Sequence, residues 1–146
     1  MKNLLTVGAT ALATLAGPAK ADPSAHAQDY TRMGTYIAVE DMETTTAFYE
    51  TLFGYAPMIS LEKFVAFDVA GGTFAIASKA DYAPDAQVGS GSVPYIQVTD
   101  LEALRDTFSD RLNRDLPEII DEPGIKLLKL TDPEGQLIEF FELAQN

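Results

Sequence analysis

Gly34–Asp41 reads GTYIAVED and Val93–Asp100 reads VPYIQVTD, and the second stretch repeats the first. Tyr36 falls on Tyr95, Ile37 on Ile96, Val39 on Val98 and Asp41 on Asp100. A second pairing sets Gly72, before TFAIAS, on Gly135, before QLIEFFE. A period of about sixty residues points to two copies of one supersecondary unit. Each copy reads strand, helix, then three strands. In the first, Thr35–Glu40 alternates as a strand and Asp41 is a good N-cap. Met42, Phe48, Tyr49, Leu52 and Phe53 fit one helical face, and Gly54 ends the helix. Strands are expected over 56–61, 63–69 and 73–78, with Gly71-Gly72 turning the last pair. The stretch 79–92 (KADYAPDAQVGSGS) has loop chemistry and joins the copies. In the second copy a strand over 93–98 leads to a helix capped by Asp100. Its apolar residues Leu101, Leu104, Phe108 and Leu112 recur at helical spacing. Strands are expected over 117–121, 125–131 and 136–143, with Asp132-Pro133-Glu134-Gly135 as the tight turn between the last two.

The 146 residues suffice for one domain with a real core. A hydrophobic content of 47% argues against disorder despite a net charge of −12. Residues 1–21 have the pattern of a signal peptide. Lys2 gives a positive start, Leu4–Ala16 is small and apolar, and Ala19-Lys20-Ala21 offers a cleavage site, with Ala25-His26-Ala27 as a second choice. The apolar run is shorter than the ~20 residues that a spanning helix needs. The expectation is Sec-type export to the periplasm or beyond the cell, with no membrane segment after cleavage. Residues 22–33 read as a linker, and 34–143 as the folded domain.

Loss of Lys2 and Lys20 takes the formal charge from −12 to −14. Such acidity disfavours nucleic acid and anionic lipid as partners. The chain has no cysteine, which excludes disulfides, thiolate metal sites and a cysteine nucleophile. Lys63, Lys126 and Lys129 fall on central strands, where long charged side chains are expected to face solvent.

Val39–Tyr49 (VEDMETTTAFY) with Leu52-Phe53-Gly54, and Asp132–Phe140 (DPEGQLIEF), resemble the vicinal oxygen chelate superfamily. That superfamily includes glyoxalase I, bleomycin-resistance proteins and extradiol dioxygenases. The resemblance spans roughly residues 34–143. It implies an α+β fold of two βαβββ modules, here 34–78 and 93–143, whose curved mixed sheets enclose a cavity. It also implies a place for a divalent metal on the first and last strands of each module. By position these sites fall on Gly34, Ile76, Val93 and Glu139. Only Glu139 can ligate, whereas such a site needs about three His or carboxylate ligands. The only histidine, His26, precedes the domain. No metal and no other cofactor is therefore expected.

With Gly34 and Val93 turned into the cavity, strand alternation sets out its lining. Tyr36 and Ala38 follow on the first strand, Tyr95 and Gln97 on its counterpart. Phe74, Ile76 and Ser78 are expected to point inward in the first module, and Leu137, Glu139 and Phe141 in the second. Mostly apolar walls with a few polar anchors suit a small molecule. A carboxylate among such walls has a raised pKa unless it is paired, so Glu139 is a tentative acid or base. Three readings stay open. The first is an exported, metal-independent protein that holds a small apolar or weakly cationic molecule, as the bleomycin-resistance branch does by sequestration. The second is a glyoxalase-like lyase or isomerase using Glu139. The third is a non-catalytic domain that binds a partner protein. Members of this superfamily often dimerise, which leaves a homodimer open.

Overall fold

The computed structural model describes residues 31–144. The signal-peptide and linker assignments up to residue 30, with His26, lie outside the described residues. Strand β1 spans Gly34–Val39, and its alternation decides its faces: Ile37 and Val39 are buried while Tyr36 is 51% exposed. Helix α1, Met42–Phe53, starts where expected because the Asp41 side chain accepts from the Thr44 amide at 2.9 Å. It stops at Gly54, whose φ of 77° lets its amide donate to the Glu50 carbonyl. Strands β2 (Ile59–Leu61), β3 (Phe64–Val69) and β4 (Gly72–Ser78) complete the first module. The second follows with β5 (Tyr95–Gln97), a helix over Leu101–Leu112, β6 (Ile120–Glu122), β7 (Ile125–Thr131) and β8 (Leu137–Leu143). Asp100 caps that helix through the Ala103 amide at 2.9 Å, so both repeat aspartates start helices. Its C-terminal left-handed residue is Asn113 rather than glycine.

Three expected strands are shorter than read, at β2, β5 and β6. At the start of β5, Pro94 has no amide to donate and meets the neighbouring strand only through its carbonyl, which accepts from the Glu139 amide at 2.9 Å. The expected loop 79–92 opens with one helical turn, α2 (Lys79–Tyr82), which makes the helix at Leu101 α3. Asp81 holds that turn in place, accepting from the Ser78 hydroxyl at 2.6 Å and from Lys63 at 2.5 Å.

The strands form two four-stranded sheets, ordered β1-β4-β3-β2 and β5-β8-β7-β6. The pairs β1–β4 and β5–β8 are parallel and the others antiparallel. The sheets are the same element by element, and they do not close into a barrel. One hydrophobic core serves both modules. It runs from Ile37, Tyr49, Leu52 and Phe74 to Leu101, Phe108, Leu130 and Phe140.

The turns before β4 and β8 differ, and this corrects the second repeat pairing. Val69 pairs with Gly72 across a two-residue turn, Ala70-Gly71, with φ of 50° and 77°. In the second module Asp132 pairs with Gln136 across Pro133-Glu134-Gly135. The Gly135 amide donates to the Asp132 carbonyl, and Gly135 has φ of 87°. The counterpart of Gly135 is therefore Gly71, not Gly72. A slip of one residue moves every side chain of a strand to the opposite face. Phe74 and Ile76 are accordingly buried on the helix side, and Phe74 lies 4.7 Å from the Tyr49 ring of α1. Ser78, paired with Val39, turns to Asp81. Their parity is thus reversed, yet Phe74 still borders a cleft, as expected, while Ile76 and Ser78 lie outside it. Thr73, Ala75 and Ala77 take the face assigned to Phe74, Ile76 and Ser78.

Candidate functional site

The polar and aromatic groups of interest gather on the helix-free face of the second sheet. Tyr95 sits opposite Glu139, and Gln97 opposite Phe141, in the parallel register of β5 and β8. Ile138 and Phe140, between them, are buried against α3. The expected parity of Leu137, Glu139 and Phe141 thus matches the observed one. The Tyr95 ring stacks on Phe141, with centroids 3.9 Å apart and planes 8° from parallel. Tyr95 nevertheless remains 53% exposed, so its other side is a free aromatic surface.

Glu139 is not alone. Lys129 stands directly across from it on β7, and their charged groups are 3.3 Å apart. The glutamate side chain is only 13% exposed, the lysine 45%. The reading of all three lysines as plain solvent-facing charges needs the same amendment. Lys63 pairs with Asp81 and Lys126 with Glu102. The partner of Glu139 was within reach of the sequence. Antiparallel pairing about the Asp132–Gly135 turn brings Lys129 opposite Glu139 once the three-residue turn is known.

One hollow borders this face at Tyr95, and another lies beside β1. A cleft of about 600 Å³ is lined by Met33, Gly34, Thr73, Phe74, Val93 and Tyr95, among others. A second, of about 200 Å³, has Tyr36, Ala38, Gln87 and Gln136 in its walls. Tyr36 and Tyr95, expected to flank one pocket, line different hollows. Val93 precedes β5 and contributes to the larger.

The residues do not fit the metal that the resemblance implies. With the turn corrected, the position on β4 that corresponds to Glu139 is Ala75, not Ile76. Gly34, Ala75 and Val93 offer no side-chain donor atom, and the charged partner of Glu139 is a cation, Lys129. Among the described residues no group of three or more His, Cys, Asp or Glu side chains could hold a metal ion.

The two motif stretches meet at another place. The buried Asp132 carboxylate accepts from the Glu134 and Gln136 amides at 2.9 Å and from the Tyr49 hydroxyl of α1 at 3.1 Å. Burial, with the charge of Asp132 second, pushes the Tyr49 phenol well above its ordinary range. The Glu134 carboxylate reaches the Glu40 amide at 2.9 Å and also the Asp41 amide, at the start of α1. These contacts join the two modules.

No protein-family model matches the sequence, and no curated protein does. The structure is similar to many solved ones. A glyoxalase/bleomycin resistance protein from Catenulispora acidiphila is 21% identical, with a TM-score of 0.65 over 79% of this chain and 100% of that one. A glyoxalase/bleomycin resistance protein/dioxygenase from Nocardioides is 16% identical, with a TM-score of 0.61 over 80% and 85%. A lactoylglutathione lyase from Agrobacterium tumefaciens is 20% identical, with a TM-score of 0.58 over 75% and 91%. The fold is that of the glyoxalase/bleomycin resistance proteins, the vicinal oxygen chelate fold. At these identities the likeness is one of architecture, and one fold hosts many activities.

Proposed function

We infer that the protein binds a small, largely apolar and planar molecule without a metal, and that it works outside the cytoplasm. The observation that carries this reading is the Tyr95 ring, stacked on Phe141 and half exposed beside the 600 Å³ cleft. A ring anchored on one side and open on the other holds a flat ligand at little entropic cost, because the side chain is already ordered. Val93 and Met33 add apolar surface, and Gln97 and the Glu139–Lys129 pair offer polar anchors at the edge. The ion pair supplies the partner that Glu139 would lack as a solitary buried acid. It weakens the case for a free catalytic carboxylate and for a cationic ligand. Export rests on the composition of residues 1–21.

The test is a thermal-shift screen of neutral aromatic compounds, followed by assay of any hit for consumption. Stabilisation of the wild type that is lost in Tyr95→Ala, with the compound recovered unchanged, supports binding. Turnover abolished by Glu139→Gln would instead establish a lyase or isomerase. N-terminal sequencing of protein from the periplasm or medium checks export, with a start near Asp22 expected.

A further inference from the structure

Each module has a groove between its helix and the edge strand of its sheet. In the second module this groove is about 180 Å³, and Arg105 lies in it. The guanidinium donates to the Pro117 carbonyl at 2.8 Å and to the Leu116 carbonyl at 2.9 Å, with the Glu118 carboxylate 3.9 Å away. In the first module the groove is about 390 Å³. Arg105 is the fifth residue after the capping Asp100, and Thr46 is the fifth after Asp41. Where one module sets its own guanidinium in the groove and narrows it, the other has a short side chain and about twice the space.

The open groove is built for a cation with an apolar stem. Met42, Leu61 and Val65 give it an apolar floor, and Glu43, Glu50 and Glu62 rim it. Glu43 and Glu50 lie two turns apart on one face of α1. Among the described residues none of the three has a basic group within 4.0 Å. We propose that this groove docks a peptide segment bearing an arginine, whose guanidinium takes the place that Arg105 takes in the second module. A peptide fits better than a free cation. The groove runs along β2, an outer strand whose three residues are all exposed. A bare guanidinium would meet the acids and leave Leu61, 61% exposed, uncovered. The site is separate from the Tyr95 face and does not rest on the reading given for it.

Fluorescence anisotropy with the full chain tests the proposal. The probe is a labelled, end-capped peptide of alternating leucine and arginine. Its control replaces arginine with citrulline, which keeps the shape and removes the charge. The arginine peptide is expected to bind at least about tenfold more tightly, and less so as salt rises. Thr46→Arg should abolish this binding by filling the groove. The pair Glu43→Gln and Glu50→Gln should weaken it about tenfold, and carries the test should Thr46→Arg not fold. The charge-matched pair Asp106→Asn and Asp110→Asn on α3 should leave it unchanged. Equal binding of the citrulline peptide, wild-type binding by folded Thr46→Arg, or equal loss in the α3 pair would overturn the proposal. So would methylguanidinium binding as tightly as the peptide.

Discussion

Tyr49 and Asp132 connect the two stretches that make this sequence recognisable. Asp132 is buried, and three donors satisfy its carboxylate: two amides of its own turn and the Tyr49 hydroxyl. Removing one donor leaves a lone pair of a buried carboxylate unpaired. Tyr49→Phe is therefore expected to cost about 1–3 kcal/mol in chemical denaturation. Glu139 behaves differently. Its partner Lys129 is nearly half exposed, so solvent screens the pair. Glu139→Gln should change stability by less than about 1 kcal/mol. A ligand of the Tyr95 face that touches this edge should bind more weakly to the variant. Loss of stability well beyond that limit, with ligand affinity intact, would make Glu139 a structural group.

The elements are held at their ends by groups from elsewhere in the chain. Each helix start has two carboxylates: Asp41 with Glu134 at α1, and Asp100 with Glu142, which accepts from the Leu101 amide at 2.8 Å, at α3. At the far end of α1, the Arg111 guanidinium from α3 donates to the Leu52 and Phe53 carbonyls at 3.0 and 2.9 Å. These are among the carbonyls that a helix end leaves without partners, and the cation suits the negative end of the helix dipole. Gly54 allows this contact, because a Cβ there would collide with the guanidinium while φ stands at +77°. Gly54→Ala should thus destabilise the protein by about 1–2 kcal/mol from backbone strain alone. It should also cost the Arg111 contact. The double variant with Arg111→Ala should lose less than the sum of the two single ones, which a double-mutant cycle measures.

For the whole molecule, opposite pKa shifts bound the pH range of stability. The Arg32 side chain lowers the Asp68 pKa, Lys63 that of Asp81, and the Thr44 amide that of Asp41. A carboxylate with a lowered folded value adds stability above its ordinary value of 3.8, and loses it as pH falls through the folded one. Tyr49 is shifted the other way. Its contribution is complete below the ordinary phenol value of 10.0 and declines as pH rises beyond it. Denaturation midpoints should therefore be broad and flat at neutral pH, fall below about pH 4, and fall again above about pH 10. Tyr49→Phe should make the alkaline limb shallower, with Tyr55, Lys63 and Lys126, also shifted upward, keeping part of it, and should leave the acid limb in place. An alkaline limb unchanged in that variant would mean that Tyr49 does not contribute to it.

The repeat, the helix limits and the helix-facing positions are legible in the sequence by itself, because they depend on local chemistry. Asp41 and Asp100 cap helices by bonding to amides three residues on, and Ile37, Val39, Ile138 and Phe140 declare their face by alternation. The residue types at Gly34 and Val93 likewise bring no metal donor, whatever the fold around them. Tertiary structure decided what depends on pairing between distant strands. Whether a turn has two residues or three is one residue of difference, yet it reversed the faces of Phe74, Ile76 and Ser78. It also put Lys129 against Glu139. Packing of β1 and β5 against their surroundings, a separate matter, left Tyr36 and Tyr95 in different hollows. Side-chain direction in a strand has a period of two, so a slip too small to disturb the hydrophobic pattern of the whole exchanges inside and outside for a strand such as β4, apolar on both faces.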